Sequence, residues 1–183
     1  MLSPKDFLHL GARPALDRAL CRLVREGRLL RLSRGVYAAP VYGLFGAMPP
    51  STQAVLQALE AAGETVVPHG TAAANALGLT TQVPIREVFL TSGASRTLYL
   101  SERPLELRHA DRGQLLLGNR PAGQVMRALL CLGPDAASSA AELLLLGLPA
   151  PEREALCEAR VGLPGWLAAL IGEIGEVGSI PSN

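Results

Sequence analysis

Apolar residues in the first part of the chain recur at helical spacing. One apolar helix face is predicted by four residues spaced by four, three and one positions: Leu16, Leu20, Leu23 and Val24. The helix that carries them should begin near Arg13–Pro14, because proline favours the first turn of a helix. We expect it to run to about residue 26, where a glycine follows.

Shorter signals surround this helix. Ser3 and Pro4 predict an earlier helix to about residue 10, with Ser3 as its cap and Gly11 as a left-handed residue at its end. Residues 28–32 alternate between polar and apolar, which is typical of a half-buried strand, and a turn leads into a return strand at 36–38. Helix, tight turn, helix and β-hairpin is the element order of a winged helix-turn-helix.

The segment from residue 40 to 50 is rich in glycine and proline, and this shift in composition predicts a domain boundary. We therefore expect a winged helix-turn-helix domain at 1–46 and an α/β domain at 47–183, with a small sheet and a helical C-terminal part, which makes the fold class α+β. The elements predicted for the second domain are helices near 52–62 and 71–77, strands near 65–67, 87–91, 97–101 and 105–108, helices near 122–132, 136–146, 152–159 and 165–174, and a loose tail at 175–183.

Charge is divided unevenly along the chain. Residues 1–46 hold eight Lys or Arg and three acidic residues, a net charge of +5, whereas the rest holds nine basic and thirteen acidic residues. A basic segment beside an acidic remainder is typical of a protein whose first part binds a polyanion. Charge alone is also compatible with an ordinary solvated surface.

Six arginines give this charge a pattern. Arg18, Arg22 and Arg25 lie at i, i+4 and i+7 on the second predicted helix, away from its apolar face. A helix in the major groove needs this arrangement, because its apolar face docks on the domain while long basic side chains reach bases or phosphates. The start of the helix and the wing complete the set of predicted DNA-binding residues with Arg13, Arg31 and Arg34. The alternative is an amphipathic helix with surface arginines and no ligand.

The common signatures of enzymes and metal sites are absent from the sequence. It has no GxxxxGK[ST] loop, no GxGxxG and no HExxH. His9, His69 and His109 stand without partners at metal-ligand spacing, and a turn with Thr71 as helix cap explains the sequence around His69. We therefore expect no catalytic activity, no metal and no cofactor.

Cysteine content and apolar runs bear on location. The three cysteines are far apart and odd in number, which indicates reduced thiols in the cytoplasm. No apolar run reaches the roughly 18 residues that span a bilayer, and the N-terminus carries no secretory signal. We expect a cytoplasmic protein with no membrane partner.

Two blocks of the sequence resemble AbiEi-like antitoxins, the antitoxin components of type IV toxin–antitoxin systems. Residues 6–40 resemble the winged-helix start of that family, and residues 66–100 resemble its following α/β segment. The second block carries the resemblance at Gly70, Ala72–Asn75, Gly78–Leu79, Gln82–Pro84, Leu90–Thr91, Gly93 and Ser95–Arg96. Weaker similarity continues near 127–133 and 164–167.

This resemblance implies a transcriptional repressor that binds double-stranded DNA at the promoter of its own operon. It also implies a C-terminal domain that antagonises a nucleotidyltransferase-like toxin. Arg13, Arg18, Arg22 and the wing arginines then inherit the role of contacting DNA. Direct contact with the toxin and formation of a homodimer stay open at this point.

Two departures from the family favour a different hypothesis. Relatives carry another helix before the motif, and without it apolar surface at Leu16 and Leu20 should be exposed or covered by a partner. Ala12 stands where a capping serine is expected, which weakens the helix start by about 1 kcal/mol. The alternative is therefore a protein-interaction module whose degenerate winged helix has lost DNA binding.

Overall fold

The computed structural model describes residues 1–44, 46–81, 86–100 and 103–177, and they form the mixed α+β fold that was predicted. Its helices and strands, in chain order, are a 3-10 helix Pro4–Leu10, α1 Arg13–Arg25, β1 Leu30–Ser33, β2 Val36–Ala38, β3 Val41–Gly43, β4 Gly46–Met48, α2 Thr52–Ala61, β5 Val66–Pro68, α3 Gly70–Ala76, β6 Glu87–Thr91, β7 Arg96–Leu100, β8 Arg103–His109, α4 Arg112–Leu115, α5 Pro121–Leu146, α6 Ala150–Ala159, a 3-10 helix Arg160–Gly162 and α7 Gly165–Val177.

Contacts divide the chain into two units. The first comprises Met1–Glu64 and Ser95–Leu107, and the second comprises Thr65–Ala94 and Arg108–Asn183. The first unit is thus larger than the predicted 1–46 domain, because it also holds residues 47–64 and a later segment. Gln82–Pro84, which carry part of the family resemblance, lie outside the described residues.

The first unit contains three antiparallel hairpins. Strand β1 pairs with β2, β3 with β4, and β7 with β8. Strand β7 also contacts β1. Its first residue, Arg96, places Nη2 2.7 and 2.8 Å from the two carboxylate oxygens of Glu64, so a short ion pair ties the later segment to the end of the earlier one.

The glycine- and proline-rich residues at 40–50, which predicted a boundary, include a hairpin. Val41 pairs with Met48, and Gly43 pairs with Gly46, whose φ is 96°. Glycine adopts positive φ without a steric cost and is favoured where a chain reverses between strands. The composition that suggested a linker therefore serves a turn.

The backbone conformations of three glycines bear on where helices end. Gly27 and Gly78, with φ of 70° and 72°, follow α1 and α3, and a glycine after α1 was predicted. Gly11 has φ of 161° and ψ of −179°, which is extended rather than left-handed. The first helix is a 3-10 helix capped by Ser3 and Asp6, as a capping box requires, and it ends at Leu10, so both of its ends were predicted correctly and only the conformation of Gly11 was not.

The second unit is built around α5. This helix packs against α3, α6 and α7, while β5 and β6 form an antiparallel pair. The main core cluster draws its buried residues from α5, α6, α7 and the turn after α5: Ala122, Val125, Met126, Leu129, Ala137, Ala141, Leu145, Leu148, Leu156, Leu167 and Ile171. Trp166, the only tryptophan of the chain, packs against this cluster and reports on the second unit.

By length and composition alone, α5 could cross a membrane, since its most apolar window of 18 residues has a mean hydropathy of 1.4. One such helix is weak evidence, because core helices of soluble proteins meet the same criterion. Seven residues of α5 belong to the core cluster. Gly133, with φ of 76° before Pro134, interrupts the helical conformation, so the apolar sequence forms two shorter helical stretches, as the sequence predicted.

Helix α7 is longer than predicted. Helix α7 continues to Val177, so the first residues of the expected loose tail belong to it. The remaining tail residues, 178–183, lie outside the described part of the chain.

A close approach of two helices depends on Gly70. A Cβ atom at this position would lie 2.8 Å from the backbone oxygen of Arg127 and 2.8 Å from the Cβ of Cys131. Ala73 and Ala74 of α3 continue the contact and are almost fully buried. Small residues therefore set the distance between α3 and α5.

Replacing Gly70 with alanine should destabilise the second unit. The added methyl group meets backbone, which cannot rotate away, so we expect a loss of about 1–3 kcal/mol. Unfolding in urea, followed by the fluorescence of Trp166, measures the change. Gly165→Ala is the matched control, because Gly165 also begins a helix and a Cβ there meets nothing within 4 Å. Equal stability of the two variants would contradict the packing argument.

Glu152 joins α6 to the start of α5. Its Oε1 accepts from Nε and Nη2 of Arg120 at 3.1 and 2.9 Å, and its Oε2 accepts from the backbone N–H of Ala122 at 3.0 Å. The hydrogen bond from Ala122 and then the Arg120 guanidinium hold the pKa of this carboxyl below its usual value. The positive end of the helix dipole likewise favours the charged form of a carboxylate that accepts a hydrogen bond at a helix N-terminus.

Glu152→Gln should make stability less dependent on acid pH. Because the folded-state pKa lies below the unfolded value, the carboxylate contributes stability above the unfolded pKa and loses it as pH falls through the folded pKa. The variant should therefore be less stable than wild type at pH 7, with a difference that shrinks toward pH 3. Urea unfolding at several pH values measures this. Glu158→Gln, at an exposed position on the same helix, is the control; a difference for Glu152→Gln that is constant with pH would contradict the interpretation.

Candidate nucleic-acid interface

The C-terminal end of α1 is fixed by a Schellman motif. The N–H of Arg28 donates to the carbonyl of Leu23 at 2.9 Å, and the N–H of Gly27 donates to the carbonyl of Val24 at 3.1 Å. These two bonds satisfy carbonyls that a helix end otherwise leaves unpaired. They direct the chain from α1 into the β1–β2 hairpin.

The N-terminal end of α1 lacks a side-chain cap, as the sequence predicted. Ala12 is extended, with φ of −66° and ψ of 143°, and offers no side-chain oxygen to the first turn. Pro14 lies in the first turn, where a missing N–H costs nothing.

A small apolar core lies under α1. Leu20, Leu29 and Tyr37 are buried and are joined by half-buried neighbours. Leu2 forms an antiparallel bridge with Tyr37 of the hairpin, in which the N–H of each residue donates to the carbonyl of the other, at 2.8 and 2.9 Å. The first residues of the chain thus close the sheet side of this core.

The expected exposure of the apolar face of α1 was wrong. Leu20 is only 6% exposed and Leu16 is half-buried. Leu29, just before β1, and Tyr37 of β2 pack against Leu20. Apolar exposure falls instead on the 3-10 helix, where Leu8 and Leu10 are 50% and 69% exposed.

Three arginines share the solvent face of α1. A helix turns by about 100° per residue, so Arg18, Arg22 and Arg25 fall within a sector of about 60°, roughly opposite Leu20. All three are exposed. Arg13 is exposed too, but it lies within about 20° of Leu20 around the axis and does not belong to this sector. We call Arg18, Arg22 and Arg25 the arginine face.

Several basic groups of this region have acidic or carbonyl partners nearby. Arg13 forms an i,i+4 pair with Asp17 at 3.2 Å. Glu26 lies 3.8 Å from Arg22 and 3.9 Å from Arg28. Exposed pairs of this kind contribute little and are screened by salt, so the arginines can exchange them for phosphate.

The remaining arginines of the prediction are less constrained. Arg18 donates through Nε to the carbonyl of Pro14 at 3.3 Å. Among the described residues, Arg25 and Arg34 have neither an ion pair nor a side-chain hydrogen bond, and both are exposed. The guanidinium groups of Arg25, on the arginine face, and Arg34, in the hairpin turn, are therefore surrounded by solvent.

The β1–β2 hairpin carries Arg31 and Arg34. Arg31 pairs across the strands with Tyr37 and is exposed, while its neighbour Leu32 is buried. Arg34 precedes Gly35, whose φ of 75° makes the reversal. The alternation of exposed and buried positions keeps Arg31 on the solvent side of the wing.

Sequence reasoning missed a buried cation in the second unit. Arg127 of α5 is only 2% exposed, and its Nε and Nη1 have no hydrogen-bond partner within the described part of the chain. Burial lowers its pKa to about 10. The sequence did not predict this burial, because an arginine among apolar neighbours in a helix can lie on the solvent side as well as in the core.

A cavity of about 100 Å³ lies beside this arginine. It is lined by His69, Gly70, Leu90, Gln114, Arg127, Leu130 and Cys131. Partial burial raises the pKa of the Cys131 thiol and favours the thiol form, although the residue as a whole is exposed. These described lining residues include one permanent cation and no carboxylate.

The histidines of the second unit take structural roles. His69 caps α3, because its Nδ1 accepts from the N–H of Thr71 at 3.3 Å; the cap is thus the histidine and not Thr71 as predicted. His109 Nδ1 lies 2.9 Å from the carbonyl oxygen of Gly93. Within the described ranges, no group of three His, Cys, Asp or Glu side chains is arranged to hold a metal ion.

Comparison with known proteins identifies a family. Residues 1–145 match DUF6088, which is described as a family of unknown function. No curated protein and no solved structure matches the chain.

Proposed function

The chain belongs to DUF6088, a family of unknown function, and we propose that it is a DNA-binding transcriptional repressor. The arginine face of α1 carries this proposal. It lies on a helix whose opposite side is buried and which runs directly into a hairpin with two exposed arginines. This is the order in which winged helix-turn-helix proteins present a recognition helix and a wing.

The binding partner is double-stranded DNA, approached from the first unit. Residues 1–46 have a net charge of +5, and the basic side chains of α1 and the wing are exposed. Arginine suits this role because its planar guanidinium binds phosphate or guanine in a bidentate manner. Phosphate contacts release counterions, so the affinity should fall steeply with salt.

The resemblance to AbiEi-like antitoxins supplies the biological setting. We propose that the chain represses its own promoter in the cytoplasm and acts as the antitoxin of a type IV system. On this proposal the second unit antagonises a nucleotidyltransferase-like toxin, and the chain itself catalyses no reaction.

The DNA-binding proposal is tested by removing the charge of the arginine face. Arg18→Gln, Arg22→Gln and Arg25→Gln, combined in one chain, should weaken binding to DNA from the promoter of the chain's own gene by at least about tenfold. The slope of log K against log [salt] should become shallower by about 0.9 for each phosphate that the variant no longer neutralises. Fluorescence anisotropy with a labelled duplex at several salt concentrations measures both quantities.

The control removes the same charge elsewhere. Arg86→Gln, Arg112→Gln and Arg153→Gln change three exposed or half-exposed arginines of the second unit. A general effect of net charge would weaken both triple variants equally. Unchanged affinity of the arginine-face variant would rule out α1 as the binding helix.

The same proposal calls for a gain of affinity at Glu26. This carboxylate lies near Arg22 and Arg28 and adds a negative charge beside the arginine face. Glu26→Gln should therefore bind the duplex more tightly than wild type, most clearly at low salt. A loss of affinity would mean that Glu26 orients the arginines for binding.

A separate experiment addresses the antitoxin role. In cells that express a nucleotidyltransferase encoded beside this gene, co-expression of the chain should restore growth, and the arginine-face variant should restore it as well when both genes have an unrelated promoter. If the wild-type chain does not restore growth, the antitoxin role is contradicted. The DNA-binding proposal is not affected by that result, because the anisotropy experiment tests it separately.

An interaction module without DNA binding is the second candidate. The β3–β4 hairpin favours it, because Val41, Tyr42 and Leu44 are 52%, 72% and 101% exposed. Exposed apolar clusters mark surfaces that bind other proteins. Absence of a duplex shift at low salt, together with binding to a neighbouring gene product, would support this candidate over the repressor.

A further inference from the structure

The buried arginine of the second unit points to a ligand. Arg127 lines the cavity beside α3 and α5, and two of its nitrogens have no partner among the residues that the structure describes. We propose that this cavity binds a small oxyanion of the size of phosphate. The site belongs to the second unit and the arginine face to the first, and this proposal does not depend on DNA binding.

An unpaired buried cation is costly, and this cost is the first argument. A buried charge is normally matched by an opposite charge or by hydrogen bonds to every donor. Arg127 lies on α5 one turn after Gly123, and a Cβ at that glycine would be only 3.2 Å from Nη1. The helix thus leaves room for the guanidinium, while the described residues supply no acceptor to Nε or Nη1.

The lining of the cavity selects an anion. Its described residues combine the arginine with a histidine and a glutamine and include no carboxylate. The side chain of Gln114 offers two further N–H donors. Phosphate, with its several acceptor oxygens, matches a set of donors around a guanidinium.

Cavity size limits the ligand. Pockets for drug-sized molecules and cofactors enclose about 300–1,000 Å³, whereas this cavity encloses about 100 Å³. A free ion or a single phosphoryl group fits that space, and a whole nucleotide does not. Gln114 and Cys131 line the cavity and reach solvent, so an ion can enter from outside.

Thermal unfolding with inorganic phosphate as the probe tests the site. A ligand that binds the folded state raises Tm in proportion to ln(1 + [L]/Kd). Wild type should gain Tm in sodium phosphate relative to sodium chloride of the same ionic strength, with Trp166 fluorescence as the readout. Sodium acetate should give a smaller gain; an equal or larger gain would overturn the assignment to phosphate.

Two variants locate the effect. Arg127→Met replaces the buried cation by an apolar side chain, a change that is often tolerated, and should abolish the phosphate-specific gain. The arginine-face triple variant should keep it. Persistence of the gain in Arg127→Met would overturn the proposal. Loss of the gain in the triple variant only would also overturn it and would assign phosphate binding to α1.

Alkylation of Cys131 gives a second readout that requires no variant. Cys131 lines the cavity and is exposed, so a bound anion should both shield it and disfavour its thiolate. Phosphate should slow its reaction with iodoacetamide several-fold, as read by mass spectrometry of the labelled full chain after digestion. Cys157 in the same chain is the reference, because it packs against the core cluster. An unchanged rate at Cys131 would contradict a bound anion in this cavity.

Discussion

The contact of Leu20 with Leu29 and Tyr37 is the constraint on which the candidate interface depends. It buries one side of α1 and thereby decides which side is left to solvent. Because arginines recur at i, i+4 and i+7, they all fall on that remaining side. The core is small, and the hydrogen bonds between Leu2 and Tyr37 complete it from the start of the chain. The presentation of the arginines is therefore a consequence of packing and not of the arginines themselves.

The second unit follows a different rule, in which small residues control distance. Gly70, Ala73 and Ala74 let α3 approach α5 closely, and Ala128 meets them from the other side. Dense packing normally excludes charge. The guanidinium of Arg127 is nevertheless enclosed here. An apolar residue would fill the same space without the desolvation cost of a charge, which is consistent with a role of Arg127 in binding the proposed anion.

Local rules predicted most of the fold, and non-local contacts account for the rest. The spacing of Leu16, Leu20 and Leu23 identified α1, and Ser3 identified the start of the first helix, because periodicity and capping are readable from neighbours in sequence. The burial of Arg127 was not readable in this way, because it depends on the packing of α5 against α3, which is distant in sequence. The arginine face was predictable because both of its determinants, periodicity and charge, are local.

The distribution of charge along α1 bears on what kind of DNA recognition the proposed repressor can achieve. Base contacts of helix-turn-helix proteins come mainly from the N-terminal part of the recognition helix, where Ala12 provides no cap and Arg13 is paired with Asp17. The arginine face lies further along, where side chains reach phosphates more easily than bases. Phosphate contacts supply affinity and carry no sequence information directly. A single copy would thus bind firmly but discriminate weakly, and sequence-specific repression would require two copies on paired half-sites.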